Sequence, residues 1–161
     1  MAGQDDPANA ARLTAAGKSG YAAYPNDCSH SVWFMMRQMG IDEPYRVANA
    51  MMSHMAERGS GWRKVTLAEA AELANAGKVV VGGLASASGS GHVVMVMPGS
   101  MRPSGGFRMR SGKMLPPSGL YPPSASGAAS SWPGAHSAGE KTVRDPWTGA
   151  DWPRVTFWTK N

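Results

Sequence analysis

Cysteine is almost absent from this chain: Cys28 is the only one in 161 residues. A single thiol excludes an internal disulfide and the cysteine-rich zinc sites. Charge is sparse too, at 17% of residues, and acids are the scarcer sign, with 11 Asp and Glu against 16 Lys and Arg. No apolar run reaches the ~20 residues of a membrane-spanning helix. The opening stretch "MAGQDDPANAARLTAAGKSG" has no apolar h-region, so no signal peptide is expected and synthesis is placed in the cytoplasm. The His and carboxylate residues show no metal-ligand spacing, and no cofactor motif stands out. "GSGSGH" lacks the Lys-Ser/Thr ending of a phosphate loop and leads into a strand rather than a helix.

What is present is small and flexible. The chain holds 20 Gly, 12 Pro, 12 Met and 6 Trp, with 42% apolar residues, enough for a core. Length and composition point to one domain over residues 1–161. The methionines read as adaptable core filler. The net charge of +5 favours anionic partners. Its densest stretch, "GSMRPSGGFRMRSGKML", carries Arg102, Arg108, Arg110 and Lys113 without an acid. That stretch lacks the interleaved aromatics of a single-strand binder, so no nucleic-acid partner is expected.

Hydrophobic spacing orders the elements. A short helix is expected around Pro7–Ala16. Residues 28–39 form a second, with Val32, Trp33, Met36 and Met39 on one face and Asn26 or Asp27 as N-cap. A third is expected from Tyr45 to Glu57. The fourth follows Thr66 and Glu69, which make a capping-box pattern, and stops at Gly77. "KVVVGGLA" reads as a buried strand and "HVVMVM" as the next, with His92, Val94 and Val96 sharing a face. "GFRMR", "KTVRDPW" and "RVTFWTK" read as later strands, and residues 111–139 as an irregular Gly/Pro/Ser-rich insertion. Helices first and antiparallel strands afterwards indicate an α+β fold, N-terminal helices packed on an antiparallel sheet.

Cys28 stands in the first turn of a predicted helix. Unpaired N–H groups and the positive helix end favour thiolate there, so the thiol pKa is expected to fall. The same donors can hold an oxyanion. A thiol nucleophile then needs a base, normally His. His30 follows too closely in the helix to face Cys28. His54 lies in the third helix and His136 in the irregular segment. His92, at the mouth of a buried strand after a Gly/Ser loop, is the best-placed candidate. The alternative for both residues is structural: a buried core thiol and a polar strand cap.

"NDCSHSVWFMMRQMG" resembles the Asp-Cys-Ser-Gly motif of NlpC-type cell-wall cysteine peptidases. From Asn26 to Met97 the chain resembles the type VI secreted peptidoglycan amidase effectors more closely. It has "NDCS" opening a helix, "ANAMM" in the next, Trp62, an Ala-rich helix ending at Gly77, then "VVVGGLASASGSGHVVMVMPG". The resemblance implies a papain-like (NlpC-type) fold that cleaves peptidoglycan stem peptides. The bond would be D-glutamyl to diaminopimelate, or the D-alanyl cross-link to diaminopimelate. It implies Cys28 as nucleophile, His92 as general base and Ser126, from "YPPSASG", as the residue that orients the base. Asp27, Ser29, His30 and Gly91 would be the substrate-binding neighbours, with His30 standing where the motif has Gly. It further implies no metal or cofactor, a monomer, and delivery by the type VI apparatus into the periplasm of target bacteria. A cognate immunity protein would be a partner. The rival expectation is a non-catalytic cell-wall-binding or interaction module on the same fold.

Overall fold

A computed structural model describes residues 6–160. Four helices precede or interleave with an antiparallel sheet, giving an α+β architecture. Helix α1 (Pro7–Ala23) is longer than expected. Asp6 caps it by accepting the Asn9 N–H at 3.1 Å, and Pro7 occupies its first turn, where a missing N–H costs nothing. The polar look of this segment comes from its small residues. Ala16, Gly17 and Gly20 form a buried stripe, and a Cβ on Gly20 would sit 2.5 Å from Met35 Cγ. Glycine there lets α1 lie directly on helix α2 (Cys28–Gln38).

Helix α3 (Ala48–Ala56) starts three residues later than the pattern predicts. Tyr45 is held in the preceding segment, where its ring stacks 3.8 Å from His30 and its hydroxyl lies 2.7 Å from Ser29 Oγ. Helix α4 (Leu67–Asn75) has the expected capping box: Thr66 Oγ1 accepts from Glu69 N–H and the Glu69 carboxylate from Thr66 N–H. Gly77 beyond it takes a φ of +81°, as the sequence signal requires.

The main sheet comprises β1 (Trp62–Val65), β2 (Val80–Leu84), β3 (His92–Val96), β6 (Pro123–Ser126), β7 (Ser137–Thr142) and β8 (Thr156–Lys160). Its order is β1-β8-β2-β3-β6-β7, antiparallel throughout. Strand β1 was not foreseen, because its four residues alternate too briefly to stand out. A separate ribbon pairs β4 (Arg102–Ser104) with β5 (Ser118–Tyr121). "GFRMR" is not a strand of its own; only the bridge Arg108↔Met114 falls there. Nor is the segment 111–139 irregular throughout. It supplies β5, β6 and the start of β7, and every residue of β6 is buried. Small Ser and Ala side chains let β6 lie beneath α1 and α2, so low complexity here reflects close packing. Strand β7 stops at Thr142, short of "RDPW", which forms a turn.

The core lies between the helices and the sheet, with Leu13, Val32, Met35, Val80, Val81, Val94 and Met95 fully buried. Truncating a side chain such as Leu13 to alanine in such a layer costs about 2–5 kcal/mol. At one edge, buried Glu43 receives Arg46 at 2.9 Å, His54 at 3.2 Å and Lys160, tying the α2–α3 connection to β8. Burial pushes the Glu43 carboxyl up, but the hydrogen bonds from Lys160 and Arg46 outweigh it and hold the group below its ordinary value. Among the described residues no helix is long and apolar enough to cross a membrane.

Candidate active site

Asp27 builds the start of α2. Its Oδ1 accepts the His30 N–H at 3.0 Å and the Ser29 hydroxyl at 3.0 Å, while Oδ2 meets His30 Nδ1 at 2.6 Å. Partial burial pushes the Asp27 carboxyl up, but these bonds outweigh it and lower its pKa. Cys28 is thereby fixed at the first helical position.

The turn before Cys28 is fastened to the end of β6. Gly127 N–H donates to Ser31 Oγ at 2.9 Å and Ala128 N–H to Pro25 O at 3.1 Å. A Cβ on Gly127 would run into Tyr24 O, so only glycine permits this approach.

On the other side, β6 pairs with β3 at Met95 and Val96, and Met97 N–H extends the pairing to Pro123 O at 2.8 Å. Cys28 is brought to the entry of β3. Its Sγ lies 4.0 Å from Gly91 O, and the Val93 N–H also bonds toward the sulfur. The thiol therefore touches the backbone on both sides of His92. Continuing the β3–β6 register places Ser126 opposite Val94, on the face shared by His92. Ser126 Oγ is 3.3 Å from His92 Nε2 and donates to Ala135 O at 3.0 Å. Ser124, the other candidate in this strand, has a buried hydroxyl without a partner among the described residues.

Since the only proton of Ser126 goes to Ala135, a bond to His92 requires Nε2–H as donor. The lone pair of neutral His92 then resides on Nδ1. Trp147 stands edge-on to the imidazole, 5.3 Å between centroids. Burial, with His136 nearby, pushes the His92 pKa down to about 4. The thiol departs from expectation. Burial raises the Cys28 pKa above its ordinary value, and Asp27 adds to it. The N–H groups of Val93, Ser29 and Cys28 pull the other way without prevailing. The helix start alone misled because it counts donors and ignores desolvation. At neutral pH both groups are uncharged.

Cys28 and His92 line a cleft of about 580 Å³, walled by the start of α2, by Tyr45, Val47 and Asn49, by the loop before His92 and by Ala128–Ser130. Asp27, Ser29 and Gly91 line it. His30 does not: its ring is stacked between Tyr24 at 5.1 Å and Tyr45 at 3.8 Å, behind the Asp27 cap. It braces the helix start from outside the cleft. Asn49 escaped sequence reasoning as a site residue. Its Oδ1 accepts Ser86 N–H at 2.9 Å and its Nδ2 donates to Ser86 O at 3.0 Å and Gly89 O at 2.9 Å. One side chain thus clamps the loop that delivers His92, and Gly91 passes close enough that a Cβ would lie 2.5 Å from Asn49 Oδ1. The signal available was an amide among the small and apolar residues of "ANAMM". Trp147 gave no signal that set it apart from the other tryptophans. Among the described residues, no three His, Cys, Asp or Glu side chains gather as metal ligands would.

The profile of a family described as bacteriophage peptidoglycan hydrolase matches residues 13–101. That segment contains Cys28, Asn49 and His92, while Ser126 lies beyond it. No curated protein matches the chain.

Proposed function

The chain belongs to the bacteriophage peptidoglycan hydrolase family, and from that premise we propose that it is a papain-like cysteine amidase or endopeptidase cutting peptidoglycan stem peptides. The observation that carries this reading is Cys28 Sγ lying 4.0 Å from the carbonyl that adjoins His92, with Ser126 3.3 Å from the His92 ring. Both partners being neutral at rest, His92 Nδ1 takes the thiol proton as sulfur attacks the amide carbonyl. The N–H of Cys28 and neighbouring backbone donors hold the oxyanion. Collapse expels the amine, which His92 protonates. His92 then removes a proton from water, which hydrolyses the thioester and restores the thiol. Asp27, Ser29 and Gly91 shape the substrate wall. The bond cut is D-glutamyl to diaminopimelate; the alternative is the D-alanyl cross-link to diaminopimelate.

Mass spectrometry of purified muropeptides, incubated with wild type or Cys28→Ala, tests the reaction and names the bond. Products from Cys28→Ala at the wild-type rate would sink the cysteine mechanism. The raised thiol pKa favours the rival reading, a wall-binding module with a structural Cys28. Under it, wild type binds sacculi and releases nothing.

Delivery is a separate proposal: type VI transfer into the periplasm of target bacteria, with an immunity protein blocking the cleft in the producer. The ordered motifs shared with type VI amidase effectors support it. The family description supports a bacteriophage lysis role as the competing route. Loss of transfer to neighbouring cells when the contractile apparatus is inactivated distinguishes the two.

A further inference from the structure

From Glu72 to Glu140 the chain contains no carboxylate between those two residues, yet it carries Lys78, Arg102, Arg108, Arg110 and Lys113. The last four sit on one structure. Beyond the β4–β5 pair the two strands continue as an arm: Gly106 N–H donates to Leu115 O, Leu115 N–H to Phe107 O and Met109 N–H to Lys113 O. Arg108, Arg110 and Lys113 occupy its outer end and are exposed.

None of the four cations pairs with a carboxylate among the described residues. Their bonds go to neutral acceptors: Arg102 to Glu140 O, Arg108 to Gly112 O, Arg110 to Ser131 Oγ. A guanidinium has five N–H groups, so each keeps donors for a ligand. Asp145, which receives the ribbon's Ser104 and Gly105, is buried and also occupied by Thr142.

The arm is fixed on the Ser131–Trp132 segment that directly follows the cleft wall. Phe107 packs on Trp132 at 5.8 Å between centroids, and Arg110 reaches Ser131, next to cleft-lining Ser130. Its positive face therefore continues the rim of the cleft.

We propose that this arm is a docking surface for polymeric peptidoglycan, recognising the free carboxylates of stem peptides neighbouring the one held in the cleft. The inference rests on the stem-peptide reading above. Continuity with the cleft selects the wall polymer over an anionic membrane, since lipid on this face would cover the cleft mouth. Exposed Met101, Met114 and Leu120 on the same ribbon offer apolar contacts to peptide methyl groups.

The test is co-sedimentation of the full-length Cys28→Ala protein with purified sacculi free of teichoic acid. The triple variant Arg108→Gln, Arg110→Gln, Lys113→Gln in that background is expected to bind about tenfold more weakly, at roughly two- to threefold per exposed charge. A charge-matched variant, Arg58→Gln, Lys64→Gln, Lys78→Gln, is expected to bind as the parent does. Raised salt should erase the difference between parent and arm variant. Equal weakening in both triples, no weakening in the arm variant, or binding only to vesicles containing phosphatidylglycerol or to teichoic-acid-bearing walls overturns the proposal. Should the arm triple fail to fold by circular dichroism, Lys113→Gln alone is read instead, at about twofold. Binding is scored without catalysis. A wild type that cuts no muropeptide would therefore defeat the proposed reaction and leave the docking result to stand or fall separately.

Discussion

Ser126 Oγ gives its hydrogen to Ala135 O at 3.0 Å and receives His92 Nε2 at 3.3 Å, so the serine leaves the lone pair of the neutral imidazole on Nδ1. The bond is neutral, and its expected worth is about 1 kcal/mol. Ser126→Ala should therefore lower kcat about fivefold to tenfold with little change in KM, because it disturbs the ring and not the substrate wall. Steady-state cleavage of a soluble muropeptide measures both. An unchanged kcat would remove Ser126 from the positioning role.

Under the proposed mechanism the lowered pKa of His92 should set the acidic side of the pH profile. The ring stays neutral until about pH 4, so kcat/KM should hold through pH 5 and fall as pH drops past 4. A midpoint near 6.5, the ordinary histidine value, would show that His92 is not the titrating base.

Stability should follow the same group. His92 binds its proton less readily in the folded state than in the unfolded state. Its contribution is thus constant above about pH 6.5 and is lost as pH falls from there to about 4. The loss approaches about 3 kcal/mol if the ordinary value holds in the unfolded chain. The lowered carboxyls Asp27 and Glu43 lose their contribution in the same direction, at lower pH. Urea unfolding of wild type and His92→Gln at pH 7 and pH 4.5 isolates the histidine: the wild type should lose more.

The raised pKa of Cys28 predicts a thiol rather than a standing thiolate. Alkylation by iodoacetamide, followed by intact mass, should be slow at pH 7 and accelerate beyond the ordinary cysteine range. A rate independent of pH between 6 and 9 would mean that a thiolate is already present.

Asn49→Ala removes three hydrogen bonds to the loop before His92. The expected result is a stability loss of about 1–3 kcal/mol, faster amide exchange at Ser86, and a lower kcat. Slow exchange at Ser86 in the variant would show that the loop is held by other means.

How far the sequence reveals this site depends on the range of each interaction. The capping box at Thr66 and Glu69 and the strand beginning at His92 are local, and the sequence states them directly; for the cap of α2 it offers Asn26 or Asp27, and the fold uses Asp27. The length of α1 is not local: Gly17 and Gly20 look like helix breakers until Met97 and Met35 pack against them. Strand β6 was hidden for a similar reason, since its Ser and Ala residues signal a loop unless the neighbouring layers demand small side chains. His30 looked like a substrate contact because it stands in a motif position. Only the tyrosines from two other segments reveal it as a brace. The sign of the Cys28 shift needed the burial that the fold imposes.

Strand β8 lies between β1 and β2, although both precede it by more than seventy residues. Without Thr156–Lys160 the edge strand β1 has no neighbour in the sheet, while β2-β3-β6-β7 is already contiguous. The strand that carries the imidazole thus does not depend on β8, since β3 sits between β2 and β6. Losing β8 would therefore detach β1 and break the Glu43–Lys160 tie before it disturbed the strand that carries His92.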